Sequence, residues 1–92
     1  MERFTGIVKW FNNKTGYGFI TQNNEDIFVH HAQLSVVNNQ YKYLVQGEYV
    51  EFSKMSVDRG PHKIMASDVS GVGRGPLMCE TRQKMKDSRE GV

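Results

Sequence analysis

The first part of the chain alternates polar and apolar residues with the two-residue period that is typical of β-strands. This pattern predicts strands over residues 4–11, 17–22 and 26–31, separated by turns rich in Asn and Gly. Because these strands follow one another closely, we expect an antiparallel meander. A long connection over residues 32–46 precedes a fourth strand from Gly47 to about Val57, and the turn at 58–61 leads into a fifth strand that ends near Ser70.

Every second residue of these strands is mostly aliphatic, and this set of positions is expected to form the core. Trp10 and Phe11 are neighbours, so strict alternation cannot point both to one face, and a bulge is expected near the end of the first strand. Five short, bent strands with a long link after the third predict an all-β fold in which a five-stranded antiparallel barrel closes on itself. The expected core consists of Val8, Ile20, Ile27, Val29, Leu34, Val50, Phe52, either Ile64 or Met65, and Val69.

The alternate positions of the second and third strands, which point to the opposite face, carry aromatic and imidazole rings. Tyr17 and Phe19 share one face of a strand, and Phe28 and His30 share one face of the next. Exposed aromatic clusters are costly unless something binds them. Unpaired nucleic-acid bases fit this role, because stacking on a protein ring contributes about 1–3 kcal/mol per base.

Composition places these rings in one small domain and separates it from the tail. All ten aromatic residues precede residue 53, and residues 1–70 carry seven basic and seven acidic side chains. Residues 71–92 carry five basic and three acidic side chains. We therefore expect a neutral domain over residues 1–71 and a short, basic, flexible tail over residues 72–92 that is disordered in the free protein.

Other chemistry is weakly represented. Cys79 is the only cysteine, and His30, His31 and His62 lack the spacing of a metal site, so no metal or other cofactor is expected. The Ser, Asp and Glu residues form no catalytic motif, which argues against an enzyme with a small-molecule substrate. Neither a secretion signal nor an apolar membrane span is visible, which favours a cytoplasmic protein, or a nuclear one if the source is eukaryotic or viral.

The segments Lys9-Trp10-Phe11-Asn12, Gly16-Tyr17-Gly18-Phe19-Ile20 and Asp26-Ile27-Phe28-Val29-His30 closely resemble the cold-shock domain family. The likeness includes the bacterial cold-shock proteins and the Y-box domain, and it continues to about residue 71. It implies an oligonucleotide-binding barrel (OB-fold) that holds single-stranded RNA or DNA. It also implies an RNA chaperone, or a regulator of translation and transcript fate.

The same resemblance implies a set of nucleic-acid-binding residues. By position, Trp10, Tyr17, Phe19, Phe28 and His30 match base-stacking residues, Lys9 matches a polar contact, and Phe11 matches a residue at the platform's edge. Tyr41, or else Tyr43, matches a contact in the long loop. Lys14, Lys42 and Arg59 are further expected phosphate contacts. Thr15 stands where the family usually carries Lys, and Lys14 is one residue earlier.

Two alternatives are weaker. An RNA-recognition motif also carries Gly-aromatic-Gly-aromatic, but it needs two long amphipathic helices, and its two motifs come in the opposite order. A module that docks a protein on the ring face would also account for the exposed rings, and co-purifying RNA would distinguish the two. The preferred prediction is a non-enzymatic protein that binds single-stranded nucleic acid with little sequence preference.

Overall fold

A computed structural model describes residues 2–37, 40–57 and 63–90. The described residues form five strands, followed by one helix. The strands are β1 (Phe4–Asn12), β2 (Tyr17–Gln22), β3 (Glu25–His30), β4 (Tyr49–Ser56) and β5 (Ile64–Gly71), and the helix is α1 (Met78–Glu90). Short 3-10 turns cover His31–Gln33 and Val72–Arg74. The turn expected at 58–61 lies outside the described residues.

The strands close into a barrel in the order β1-β2-β3-β5-β4, which confirms the predicted fold class. Four of the five strand pairings are antiparallel, but β3 and β5 pair in parallel at Phe28 and Met65. A closed barrel with an odd number of strands cannot alternate direction throughout, so one parallel seam is required. The predicted antiparallel barrel therefore contains one parallel seam, between β3 and β5.

The core lies inside the barrel and contains the aliphatic phase of every strand. Eight of the nine expected core positions are buried, whereas Ile64 is exposed and Met65 is only half-buried. Ala66 takes the buried position on β5 instead. Leu44, from the long loop, and Leu77, from the C-terminal segment, complete the core.

The expected bulge is present in β1. Val8 pairs with Ile20 and Trp10 pairs with Phe19, so Lys9 is an extra residue on the β1 side. The bulge reverses the phase of the strand, since Val8 points into the core while Trp10 shares a face with Phe19 across the ladder.

The C-terminal segment differs from the expected disordered tail. Leu77 and Cys79 are fully buried, and burial raises the pKa of the Cys79 thiol, so this cysteine acts as an apolar packing group. Glu80 accepts a hydrogen bond from the Leu77 amide at 3.0 Å, and Glu48 accepts one from the Met78 amide at 2.7 Å. These carboxylates accept hydrogen bonds from amides at the start of α1 that have no partner within the helix. Their negative charge also interacts favourably with the positive N-terminal end of the helix dipole. Sequence charge alone did not reveal this anchor.

An ion-pair cluster joins the N-terminus to β4 and β5. Arg3 contacts Glu51 at 3.0 Å, Asp68 at 3.2 Å and the Ser70 hydroxyl at 2.7 Å. Asp68 also accepts hydrogen bonds from Ser35 and Arg74.

Over the described ranges, no helix has the length and apolar character that a membrane crossing requires.

Candidate nucleic-acid interface

The ring cluster of Trp10, Tyr17, Phe19 and Phe28 lies on one outer face of β1, β2 and β3. Strand register produces it, because Phe19 pairs with both Trp10 and Phe28. Tyr17 pairs with His30, which extends the same face by one position. Side chains directly opposite one another in a ladder are close neighbours, so the sequence pattern becomes one continuous surface.

The rings of this cluster are in mutual contact. Ring centroids of Trp10 lie 5.3 Å from Phe19 and 5.8 Å from Tyr17. Phe28 lies 5.7 Å from Tyr17 and 5.8 Å from Phe19. These are the distances of favourable edge and offset contacts, which hold each ring in place. Trp10 and Tyr17 nevertheless remain 38% and 37% exposed, so their π-faces are accessible to a ligand.

Two glycines make the close approach of these strands feasible. A Cβ atom at Gly18 would lie 2.2 Å from the Trp10 carbonyl oxygen, and a Cβ at Gly16 would lie 2.4 Å from the His31 ring. Gly16 also has a φ of +80°, which side chains rarely adopt. The Gly-Tyr-Gly motif therefore brings the backbone of β1 and the ring of His31 against β2.

His30 is held as a neutral donor at the edge of the cluster. Its Nδ1 accepts a hydrogen bond from the Ala32 amide at 3.2 Å, which leaves the proton on Nε2. Burial, followed by the nearby charge of His31, lowers the pKa of His30. A neutral imidazole at this position can stack on a base or donate a hydrogen bond to it.

The rings of His30 and His31 lie 4.3 Å apart, although adjacent residues in a strand point to opposite faces. The strand ends at His30, and His31 begins a 3-10 turn that brings its ring back to the same side. Sequence reasoning did not include His31 among the site residues. Its position beside His30 was a signal, but only the end of β3 decides where its ring points.

Lys9 lies in the bulge of β1 and is paired with a carboxylate. Its ammonium lies 2.7 Å from Asp26, which also accepts a hydrogen bond from the Thr21 hydroxyl at 3.1 Å. These contacts, the Lys9 hydrogen bond first, lower the pKa of Asp26. Exposed pairs of this kind are weak, so a phosphate can replace the carboxylate at Lys9.

A cleft of about 500 Å³ opens next to the ring cluster, between the β1–β2 turn and the long loop. Gly16, which precedes Tyr17, and His31, which follows His30, both line it. Its lining also contains Asn13, Lys14, Thr15, Ala32, Gln40, Tyr41 and Lys42. The cleft thus places two lysines beside the stacking face.

Tyr41 closes one side of this cleft. Its hydroxyl donates to the Asn13 carbonyl, and its ring lies 5.9 Å from that of Tyr43. Tyr41 is 62% exposed, whereas Tyr43 is half-buried against the core. Of the two tyrosines left open by the sequence, Tyr41 therefore presents the accessible ring.

The remaining predicted residues lie elsewhere. Phe11 pairs with Gly18, out of phase with the rings, and packs partly buried against the core. Arg59 falls outside the described residues. Within the described part of the chain, no cluster of three or more His, Cys, Asp or Glu side chains could hold a metal ion.

Comparison with known proteins agrees with this geometry. The model of the "cold-shock" DNA-binding domain matches residues 4–72. The chain is 41% identical over 70 residues to cold shock-like protein CspA of Stigmatella aurantiaca, an alignment that covers 74% of this chain and 96% of the relative. It is 42% identical over 67 residues to cold shock-like protein CspG of Shewanella violacea, covering 71% and 89%.

A third relative, cold shock protein 1 of Lactiplantibacillus plantarum, is 46% identical over 57 residues, covering 61% of this chain and 83% of the relative. The matched region of the family model contains all five strands of the barrel and the whole ring cluster. This chain belongs to the cold-shock domain family, whose members are non-enzymatic nucleic-acid-binding proteins.

Proposed function

We propose that this protein binds single-stranded nucleic acid, RNA in the first instance, by stacking unpaired bases on the ring cluster with little sequence preference. The observation that carries the proposal is four aromatic rings in mutual contact on an accessible face of the barrel. Every base has a π-face, so such a surface accepts bases of any sequence. His30, at the edge of the cluster, adds a ring and a hydrogen-bond donor.

Electrostatics supports stacking as the main source of affinity. The barrel region is close to neutral, and Lys9 is already paired with Asp26. Lys14 and Lys42 at the cleft offer phosphate contacts, and Lys14 supplies a cation next to Thr15. With only a few phosphate contacts, binding should depend moderately on salt.

From this mode of binding we infer that the protein acts as an RNA chaperone or as a regulator of translation and transcript fate. Stacking on the cluster captures only unpaired bases, so binding shifts weak RNA secondary structure towards the open form. The proposed location is the cytoplasm, in keeping with the membership of the family. No catalytic step is needed for this action.

Fluorescence titration with a short oligouridine strand tests the proposal. Trp10 is the only tryptophan, so its quenching reports directly on the cluster. We expect Phe28→Ala to weaken binding about 5- to 150-fold, because one stacked base contributes about 1–3 kcal/mol. Phe19→Ala together with Phe28→Ala should weaken it further.

The matched control is Tyr49→Ala. Tyr49 is 63% exposed on β4, where it pairs with Ile7 away from the ring cluster. Its loss should leave oligouridine affinity unchanged. Unquenched Trp10, or equal affinities for the Phe19/Phe28 double variant and the wild type, would contradict the proposal. A purified protein that carries no RNA and captures one stoichiometric protein partner would favour the docking module instead.

The basic side chains of α1 are proposed to add salt-sensitive contacts. Arg82, Lys84 and Lys86 are exposed on the helix. Because deletion of the whole segment would also remove Leu77 and Cys79 from the core, charge reversal at these three positions is the cleaner test. We expect lower affinity and a smaller dependence on salt. An unchanged salt slope would assign this helix another role.

A further inference from the structure

Among the described residues, the backbone hydrogen bonds that fix the long loop between β3 and β4 to the barrel lie near its two ends. The Ser35 amide donates to the Val69 carbonyl at 2.8 Å, and the Gly47 amide donates to the Val8 carbonyl at 2.8 Å. The described residues between these points form no helix or strand. A loop of this length is costly to order unless further contacts hold its middle.

The C-terminal segment supplies such contacts at consecutive residues. Glu80 Oε2 accepts a hydrogen bond from the Val37 amide at 3.1 Å. The Cys79 carbonyl accepts one from the Gln40 side chain at 3.0 Å. Residues 79 and 80 therefore hold the loop on both sides of positions 38–39.

The held part of the loop adjoins the cleft beside the ring cluster. Gln40 and Tyr41 both line this cleft, and Tyr41 bonds across it to the β1–β2 turn. Glu80 in turn caps the first turn of α1 through the Leu77 amide, while Leu77 is buried in the core. A continuous path thus runs from the barrel core through residues 77–80 to Tyr41.

We propose that residues 77–80 position the long loop, and Tyr41 in particular, for nucleic-acid binding without themselves touching the nucleic acid. The inference rests on the proposed function. Holding the loop in its bound form before a ligand arrives removes an ordering cost from binding. Leu77 and Glu80 are positioning residues, distinct from the basic side chains further along the helix.

Glu80→Ala tests this with oligouridine, read by Trp10 quenching. We expect affinity to fall by about 3- to 10-fold. The loss should not exceed that of Tyr41→Ala, because Glu80 acts on binding through the stacking of the Tyr41 ring. Removing a carboxylate would by simple electrostatics raise affinity for a polyanion, so a loss has the opposite sign to a charge effect. The salt slope should stay unchanged, because no cation is removed.

The decisive measurement is a double-mutant cycle. In a Tyr41→Ala background, Glu80→Ala should have no further effect on affinity, because both changes act on the same contact. The matched control is Thr81→Ala, which alters the same turn but only a hydroxyl contact to the Leu77 carbonyl. Amide resonances of Val37 and Gln40 in the free protein should shift in Glu80→Ala and not in Thr81→Ala.

Additive losses in the cycle, or wild-type affinity for Glu80→Ala, would overturn the inference. If Glu80→Ala does not fold, Glu80→Gln has the same charge change, retains an acceptor for Leu77 and enters the same cycle. A wild-type protein that fails to bind oligouridine would instead refute the proposed function. Wild-type binding with an additive cycle refutes the positioning role alone.

Discussion

Gly18→Ala should damage both the stability of the barrel and the ring cluster. Gly18 lies between Tyr17 and Phe19 in β2, directly opposite Phe11 in β1. An added Cβ atom would lie 2.2 Å from the Trp10 carbonyl oxygen and 2.7 Å from the Phe11 Cα. Both are backbone atoms, so no side-chain rotation can relieve the overlap.

The size of the effect follows from this geometry. The closest contact is about 1.2 Å shorter than the 3.4 Å at which ordinary contact begins, so β1 must move away from β2. A shift of that size takes a ladder hydrogen bond of ordinary length beyond bonding distance. Overpacking costs about 1–3 kcal/mol, and the rigid neighbours place Gly18→Ala near the upper value, about 3 kcal/mol. The same movement displaces Trp10 from Phe19.

Urea unfolding and oligouridine titration measure the two consequences separately. Gly47→Ala is the control, because Gly47 has a φ of +86° but no atom within 4 Å of its added Cβ. It should cost only the left-handed backbone penalty of about 1–2 kcal/mol and leave oligouridine affinity intact. A free energy of unfolding for Gly18→Ala within about 0.5 kcal/mol of wild type would refute the argument.

Three further predictions concern titration and the C-terminal segment. The Ser35 hydrogen bond is the largest cause that lowers the pKa of Asp68, so the stabilisation by this carboxylate is present above the unfolded pKa near 4 and is lost as pH falls. Ser35→Ala should therefore weaken the dependence of the urea midpoint on pH between pH 5 and 2. An unchanged pH profile in this variant would exclude the role of the Ser35 hydrogen bond. His30 has a lowered pKa, so the unfolded chain binds its proton first and stability should fall as pH drops below about 6.5; His30→Asn should flatten the urea midpoint between pH 7 and 5. Leu77→Ala should destabilise the fold by about 2–5 kcal/mol because the side chain is fully buried, and an unchanged melting temperature would indicate a detached tail.

The strand pattern and the chemistry of the face were predictable because they depend on local alternation. Tyr17, Phe19 and Phe28 stand in the opposite phase to Ile20 and the other core residues, and a two-residue period leaves no other arrangement. The bulge near Trp10 was predictable for the same reason. Its position at Lys9 required the actual register of β1 against β2.

Other features depend on contacts between distant parts of the chain. Ala66 rather than Met65 lies in the core because the bulge in the β4–β5 pairing shifts the phase of β5 between Val69 and Ala66. His31 joined the site because β3 ends one residue earlier. Neither outcome follows from the local sequence alone, because one depends on how two strands pair and the other on where a strand ends.

The sequence by itself determined the barrel, its aliphatic core and the aromatic face, since each follows from the period of one strand and the order of strands. Only the tertiary structure decided that Lys9 is paired with Asp26 and that residues 77–80 reach back to the long loop. The charged composition of residues 72–92 predicted disorder, but Leu77 and Cys79 are fully buried and pack with residues of the barrel strands in the core. The physical reason is the same in each case: pairing across the molecule is set by which surfaces meet, and that information is not local.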